Sequence, residues 1–71
     1  MKPSDYRIVV EGELGSRYKA AFGAMRLDAR DGETQIVGWV EDQAELQGLL
    51  DTIAALGLSL VSVTPLNDSP R

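Results

Sequence analysis

Residues 42–57, with the sequence DQAELQGLLDTIAALG, decide the fold because they carry the clearest helical pattern in the chain. Large apolar side chains recur there at spacings of three and four, which is the stripe of an amphipathic helix. The stripe consists of Leu46, Leu49, Leu50, Ile53 and Leu56. Asp42 precedes Glu45 by three residues, as in a capping box, and Gly57 suits the left-handed residue that follows many helices. Both ends of the helix are therefore predicted.

Segments with β character lie on both sides of this helix. Residues 58–63 are rich in Leu and Val, and strict alternation places Leu58 and Leu60 on one face and Val61 and Val63 on the other. Upstream, Asp31-Gly32 is the turn dipeptide of a two-residue hairpin. A loop of that length predicts that Leu27 lies opposite Ile36.

The first part of the chain predicts one more strand and a short helix. Residues 6–11 are β-branched or aromatic at several positions, with Tyr6, Ile8 and Val10 on one face. After the Gly-rich segment 12–15, Ser16 is expected to cap a short helix that Gly23 ends. Its apolar side chains are Tyr18, Ala21 and Phe22.

These elements predict one two-layer α+β domain over residues 6–66, with loose tails at 1–5 and 67–71. An antiparallel sheet of three or four strands is expected, covered on one face by the single long helix. The element order fits a trimmed ferredoxin-like βαββαβ unit, and a ββαβ sheet with an irregular first connection is the alternative.

One helix leaves the second face of the sheet without a cover. By the alternation, five apolar side chains point to that face, namely Val9, Val37, Trp39, Val61 and Val63. A patch of that kind usually marks an interface. We therefore expect a homodimer packed sheet against sheet, with Trp39 as an anchor of the contact.

The composition limits the classes of function. The 71 residues include seven basic and eleven acidic side chains, which argues against nucleic acid as a partner. No apolar run is long enough to span a membrane. The chain has no cysteine, so the disulfides of small secreted domains are excluded and a cytoplasmic location is expected.

The sequence predicts neither a catalytic residue nor a metal or cofactor site. Histidine, the usual base and metal ligand near neutral pH, is absent. The acidic residues Glu41, Asp42 and Glu45 are accounted for by a helix start. Ser16 and Lys19 have the S-x-x-K spacing of penicillin-binding enzymes, but the companion motifs of those enzymes are missing.

Three functions are compatible with these features. The first is a homo-oligomeric interaction or regulatory module without catalytic activity, which binds a protein partner. The second is a small-molecule-binding protein or a cofactor-free enzyme of the dimeric ferredoxin-like kind, with a pocket lined by Tyr18, Phe22 and Trp39. The third is a structural subunit of a larger complex.

The helix start, D-Q-A-x-L-x-G-L-L over residues 42–50, resembles that of a group of short, stand-alone bacterial proteins of unknown function. The similarity extends from the first strand to Val63. In that group tryptophans are common near Tyr18 and Ala21 and a histidine often stands at the position of Gln47, and this chain differs at all three. The resemblance implies a compact α+β domain and supplies no activity.

Overall fold

The chain forms a four-stranded antiparallel sheet and one α-helix, in a computed structural model that describes residues 2–66. This confirms the α+β class. The expected tail at residues 67–71 lies outside the described residues. Along the chain the elements are β1 (Ser4–Glu11), a 3₁₀ helix (Ser16–Phe22, the short helix), β2 (Arg26–Arg30), β3 (Glu33–Val40), α1 (Gln43–Ala55) and β4 (Leu60–Pro65).

The strands lie in the order β2-β3-β1-β4, and each neighbouring pair is antiparallel. The two central strands, β1 and β3, pair from Ser4 opposite Val40 to Glu11 opposite Glu33. β1 begins at Ser4, which is buried. The strand therefore starts inside the segment 1–5 that the sequence predicts to be a loose tail. No helix within residues 2–66 has the length and apolar character needed to cross a membrane.

The hairpin between β2 and β3 has the predicted turn and register. Asp31 and Gly32 both have positive φ, at 55° and 79°, as a type I′ turn requires. Leu27 pairs with Ile36, which confirms the predicted register. Near the turn of the hairpin Thr34 is fully buried, and its Oγ1 donates to the Gly12 carbonyl at 2.7 Å and accepts from the Leu14 amide at 2.9 Å.

Both predicted ends of α1 are confirmed. Asp42 is the N-cap, and its Oδ1 accepts from the Glu45 amide at 2.9 Å. At the other end the Gly57 amide donates to the Ala54 carbonyl and the Leu58 amide to the Ile53 carbonyl, which is the Schellman arrangement. One detail differs, because the Glu45 carboxylate accepts from the Glu41 amide rather than from Asp42.

The core lies on the sheet face that carries Ile8, Val10 and Ile36. It consists of buried side chains from β1, β3, the short helix, the connection after that helix and α1. Its members are Ile8, Val10, Phe22, Met25, Ile36 and Ile53. Half-buried leucines of α1, namely Leu46, Leu49 and Leu50, pack against this cluster, as the helical stripe predicts.

The short helix differs from the prediction in its type and in its cap. Gly15 occupies the N-cap position without a side-chain hydrogen bond, and Ser16 is the first helical residue. A 3₁₀ helix has three residues per turn, so Phe22 does not share a face with Tyr18. Phe22 is buried while Tyr18 is only half-buried.

The predicted facing of β4 is wrong for Val63. A β-bulge shifts the pairing, so Val9 lies opposite Ser62 while Val10 lies opposite Leu60. The extra residue is Val61, and it reverses the alternation beyond it. Val63 consequently pairs with Ile8 and packs against the core rather than pointing to the second face.

Candidate functional site

Trp39 lies near the end of β3, on the sheet face opposite to that of Ile8 and Ile36. The residue is 40% exposed, although its Nε1 donates a 2.9 Å hydrogen bond to Oε1 of Glu41. The indole is therefore held at the point where β3 leads into α1. A large apolar ring in this half-exposed position has more area to bury in a contact.

A cavity of about 300 Å³ lies beside Trp39, between β3, the first half of α1 and the segment after the short helix. Phe22 and Met25 are its buried members, and Leu49 and Glu45 reach it from α1. Gly23 and Ala24 complete the lining. The volume is at the lower end of the range for small-molecule pockets.

Tyr18, the third residue of the predicted pocket, is not part of the cavity lining. It lies instead beneath the Arg17 guanidinium, whose carbon is 5.2 Å from the ring centroid. The structure thus brings Phe22 and Trp39 together and separates both from Tyr18. The lining contributed by Met25, Leu49 and Glu45 was not predicted from sequence, although the pairing of the Met25 and Gly38 positions in the hairpin could have indicated Met25.

The acidic residues near the cavity hold one another and the helix start in place. Glu41 accepts from Trp39, Glu45 accepts from the Glu41 amide, and Asp42 accepts from the Glu45 amide. Each carboxylate therefore has a partner within this short segment. Among residues 2–66 no group of acidic side chains is arranged to hold a metal ion.

The second face of the sheet is less apolar than the alternation predicts. Val9 is only 8% exposed in the single chain, and Val37 is half-buried. The register places Arg7 opposite Val37 on β1, and Arg26 opposite Val37 on β2. Arginine side chains thus flank Val37, and Trp39, at 40%, is the exposed large apolar residue of β1, β2 and β3.

A second exposed apolar group lies at the start of β4. Leu60 and Val61 are each 48% exposed, and Leu56 at the end of α1 is 39% exposed. Leu60 pairs with Val10, five residues along β1 from Asp5, the partner of Trp39. Since a strand rises about 3.4 Å per residue, the two groups are separated by about 17 Å along β1.

The two edges of the sheet differ in charge. β2 has charged side chains at three of its five residues, and Arg30 forms a 2.6 Å ion pair with Asp28. β4, with the sequence LVSVTP, has none. An uncharged edge lacks the side chains that most often keep an edge strand from pairing with another chain.

Comparison with known proteins identifies the family to which this chain belongs. Residues 5–64 match the profile of the domain of unknown function DUF8691. The chain belongs to this family. The DUF8691 match includes Trp39, the cavity lining and nearly all of β4, and the family description assigns no activity. No curated protein and no solved structure matches the chain.

Proposed function

We propose that this chain is a homo-oligomeric interaction or regulatory module, most simply a homodimer, that acts by binding and has no catalytic site. The exposure of its large apolar side chains is the observation that carries the proposal. Trp39, Leu60 and Val61 all lie on strands, and each keeps 40% or more of its surface exposed. Exposed apolar side chains of this size mark contact sites on a small domain.

The size of the domain supports association. A chain of 71 residues buries roughly 60% of the surface that its unfolded form exposes, which leaves a small margin of stability. Cysteine is absent from the sequence, so disulfides cannot add to that margin. Small domains of this kind commonly gain stability from a partner subunit.

The fold favours the same class. The strand order β2-β3-β1-β4 and its antiparallel neighbours support the ferredoxin-like topology over the ββαβ alternative, with the short helix in place of the first crossover helix. A cytoplasmic location, with a protein as the further partner and neither nucleic acid nor membrane, completes the proposal. The acidic balance of charge, at −4, supports the exclusion of nucleic acid.

The oligomeric state tests the proposal directly. Light scattering coupled to size exclusion should give twice the chain mass at micromolar concentration, and dilution should convert the dimer to monomer. A strict monomer at every concentration would contradict the proposal. Affinity capture under native conditions then identifies a protein partner, with Trp39→Lys as the variant expected to weaken partner binding.

The cavity beside Trp39 supports a second candidate, a small-molecule binder. Its buried members, Phe22 and Met25, give it an apolar floor, and Glu45 is the charged residue of its lining. A fragment screen by NMR should then shift the Met25 methyl and Trp39 indole signals together. Fragments that move neither signal would remove this candidate and leave the interaction module.

A further inference from the structure

The outer side of β4 is an open sheet edge. β4 is the last strand in the order β2-β3-β1-β4, and among residues 2–66 only β1 pairs with it. The Leu66 amide donates to the Asp5 carbonyl at 2.7 Å, so Leu66 is at a hydrogen-bonded position of the β1–β4 ladder. Hydrogen-bonded and non-hydrogen-bonded positions alternate in an antiparallel pair. The N–H and C=O groups of Val63, three residues earlier, therefore face away from β1.

Two copies of this acidic chain can approach each other along the β4 edge, because the edge itself carries no charge. The six residues of β4 carry no charge, whereas each whole chain carries −4. The charge-free segment runs from Thr52 to Asn67 and includes the exposed Leu56, Leu60 and Val61. Pairing β4 with a second β4 sets no like charges opposite each other, and like charges opposite each other destabilise a sheet.

We infer that the second copy in the homodimer binds along this edge, with β4 pairing antiparallel to β4 of the partner so that the two sheets become one. The inference rests on the proposed self-association and names its surface. An antiparallel pair of identical strands has two-fold symmetry, which is the commonest symmetry of soluble oligomers. The exposed Leu60 and Val61 side chains become buried beside the new strand pair.

The other edge explains why the contact closes as a dimer. If β4 of one copy paired with β2 of the next, a free β2 and a free β4 would remain and the chain of copies would grow. The Arg26, Asp28 and Arg30 side chains on β2 oppose that arrangement, because charged side chains on an edge strand disfavour pairing. The isologous β4 contact leaves only β2 edges at the two ends.

The paired segment is short and its limits are set by the sequence. Pro65 lies opposite Tyr6, one residue before the hydrogen-bonded Leu66, so the nitrogen that lacks a hydrogen faces the open edge. The bulge at Val61 bounds the other end. Main-chain pairing therefore centres on residues 61–64, and apolar contacts of Leu60 and Leu56 extend it.

Two substitutions, together with hydrogen exchange at one amide, distinguish the β4 edge from the sheet face around Trp39 as the dimer contact. Val61→Lys places a charge on the β4 edge, and Trp39→Lys places the same charge on the second face. Both positions are exposed, and circular dichroism with a urea midpoint checks that each variant folds. We expect Val61→Lys to weaken the dimer at least tenfold and Trp39→Lys to change its dissociation constant less than threefold, as measured by sedimentation.

Hydrogen exchange at the Val63 amide supplies a readout that needs no substitution. Its protection should rise with protein concentration, because its N–H has a partner only in the dimer. A dimer that Trp39→Lys dissociates and Val61→Lys does not, or a dimer in which exchange at Val63 is independent of concentration, overturns the β4 contact and leaves the proposed function standing. A wild-type chain that stays monomeric at millimolar concentration overturns both.

Discussion

Gly38 and Gly48 lie in the interiors of a strand and a helix, and they differ in the space around their Cα atoms. A Cβ added at Gly38 would overlap Sδ of Met25 and approach its Cα to 3.3 Å. A Cβ at Gly48 would meet nothing within 4 Å. Gly38 therefore makes room for Met25, which is one of the buried core residues.

We predict opposite effects of the same substitution at these two positions. Gly38→Ala should lower the free energy of unfolding by about 1–3 kcal/mol, because Met25 must leave its site in the core. Gly48→Ala should raise it by about 0.5–1 kcal/mol, because alanine loses less backbone entropy in a helix. Urea unfolding at equal protein concentration measures both, and a neutral Gly38→Ala would contradict the packing described.

The geometry of the short helix explains why Tyr18 lies apart from the cavity. Phe22 and Trp39 line the cavity, but Tyr18 does not. The sequence pattern assumed 3.6 residues per turn, and the short helix has three. A seven-residue segment between glycines is too short for its apolar spacing to distinguish the two helix types.

At the scale of elements, α1 depends on its first residue. The Asp42 carboxylate accepts from the Glu45 amide, which otherwise has no partner in the helix. Asp42→Ala should therefore lower the free energy of unfolding by about 0.5–2 kcal/mol. Asp42→Asn keeps an acceptor oxygen and should lose only about 0.3–1 kcal/mol, from the interaction of the charge with the helix dipole.

A denaturation series with both Asp42 variants checks this order. Helical circular dichroism at the midpoint of unfolding reports on α1 itself. If Asp42→Ala unfolds at the same urea concentration as the unsubstituted chain, the cap contributes nothing. If Asp42→Asn is as unstable as Asp42→Ala, charge rather than hydrogen bonding holds the helix start.

Elements whose sequence signals lie within a few residues of each other were predictable, whereas features that depend on strand pairing were not. The turn at Asp31-Gly32 and both ends of α1 follow from residues within five positions of each other, and all were confirmed. The facing of Val63 depends on the bulge between β4 and β1. A one-residue shift of register exchanges the two faces of a strand, so alternation alone could not assign it.

For the whole molecule, the effect of salt on the dissociation constant distinguishes two kinds of contact between copies, because the two involve different charges. Two copies that each carry −4 repel each other, and salt screens that repulsion. A dimer that meets along the uncharged β4 edge should therefore bind equally well or more tightly as salt rises from about 0.05 M to about 0.5 M.

Sedimentation equilibrium across that range of salt gives the dissociation constant. A contact between the Arg-containing β2 edge of one copy and the acidic α1 of another would weaken with salt, because its attraction is electrostatic. Weakening of the dimer by more than tenfold would therefore exclude the β4 edge as the main contact. Polyethylene glycol or sucrose is a poor substitute for the salt series, since neither screens charge.

The second face of the sheet exposes less apolar area than the alternation predicts. Alternation identified Val9 and Val37 correctly as members of that face, but Val9 is already buried in the single chain. Residues on central strands are shielded by the side chains of both adjacent strands. The exposed apolar area is consequently greatest at Trp39 and at the start of β4, near the ends and edges of strands.

Thr34 joins parts of the chain that lie twenty residues apart in sequence. Its hydroxyl binds the Gly12 carbonyl and the Leu14 amide, while the Gly12 amide donates to the Gly32 carbonyl. The turn of the hairpin and the connection after β1 are therefore joined by hydrogen bonds, and we expect them to open together in local unfolding. Since that connection leads to Phe22, Thr34 helps to fix the start of the segment that carries the cavity floor, from the end of β3 opposite to Trp39.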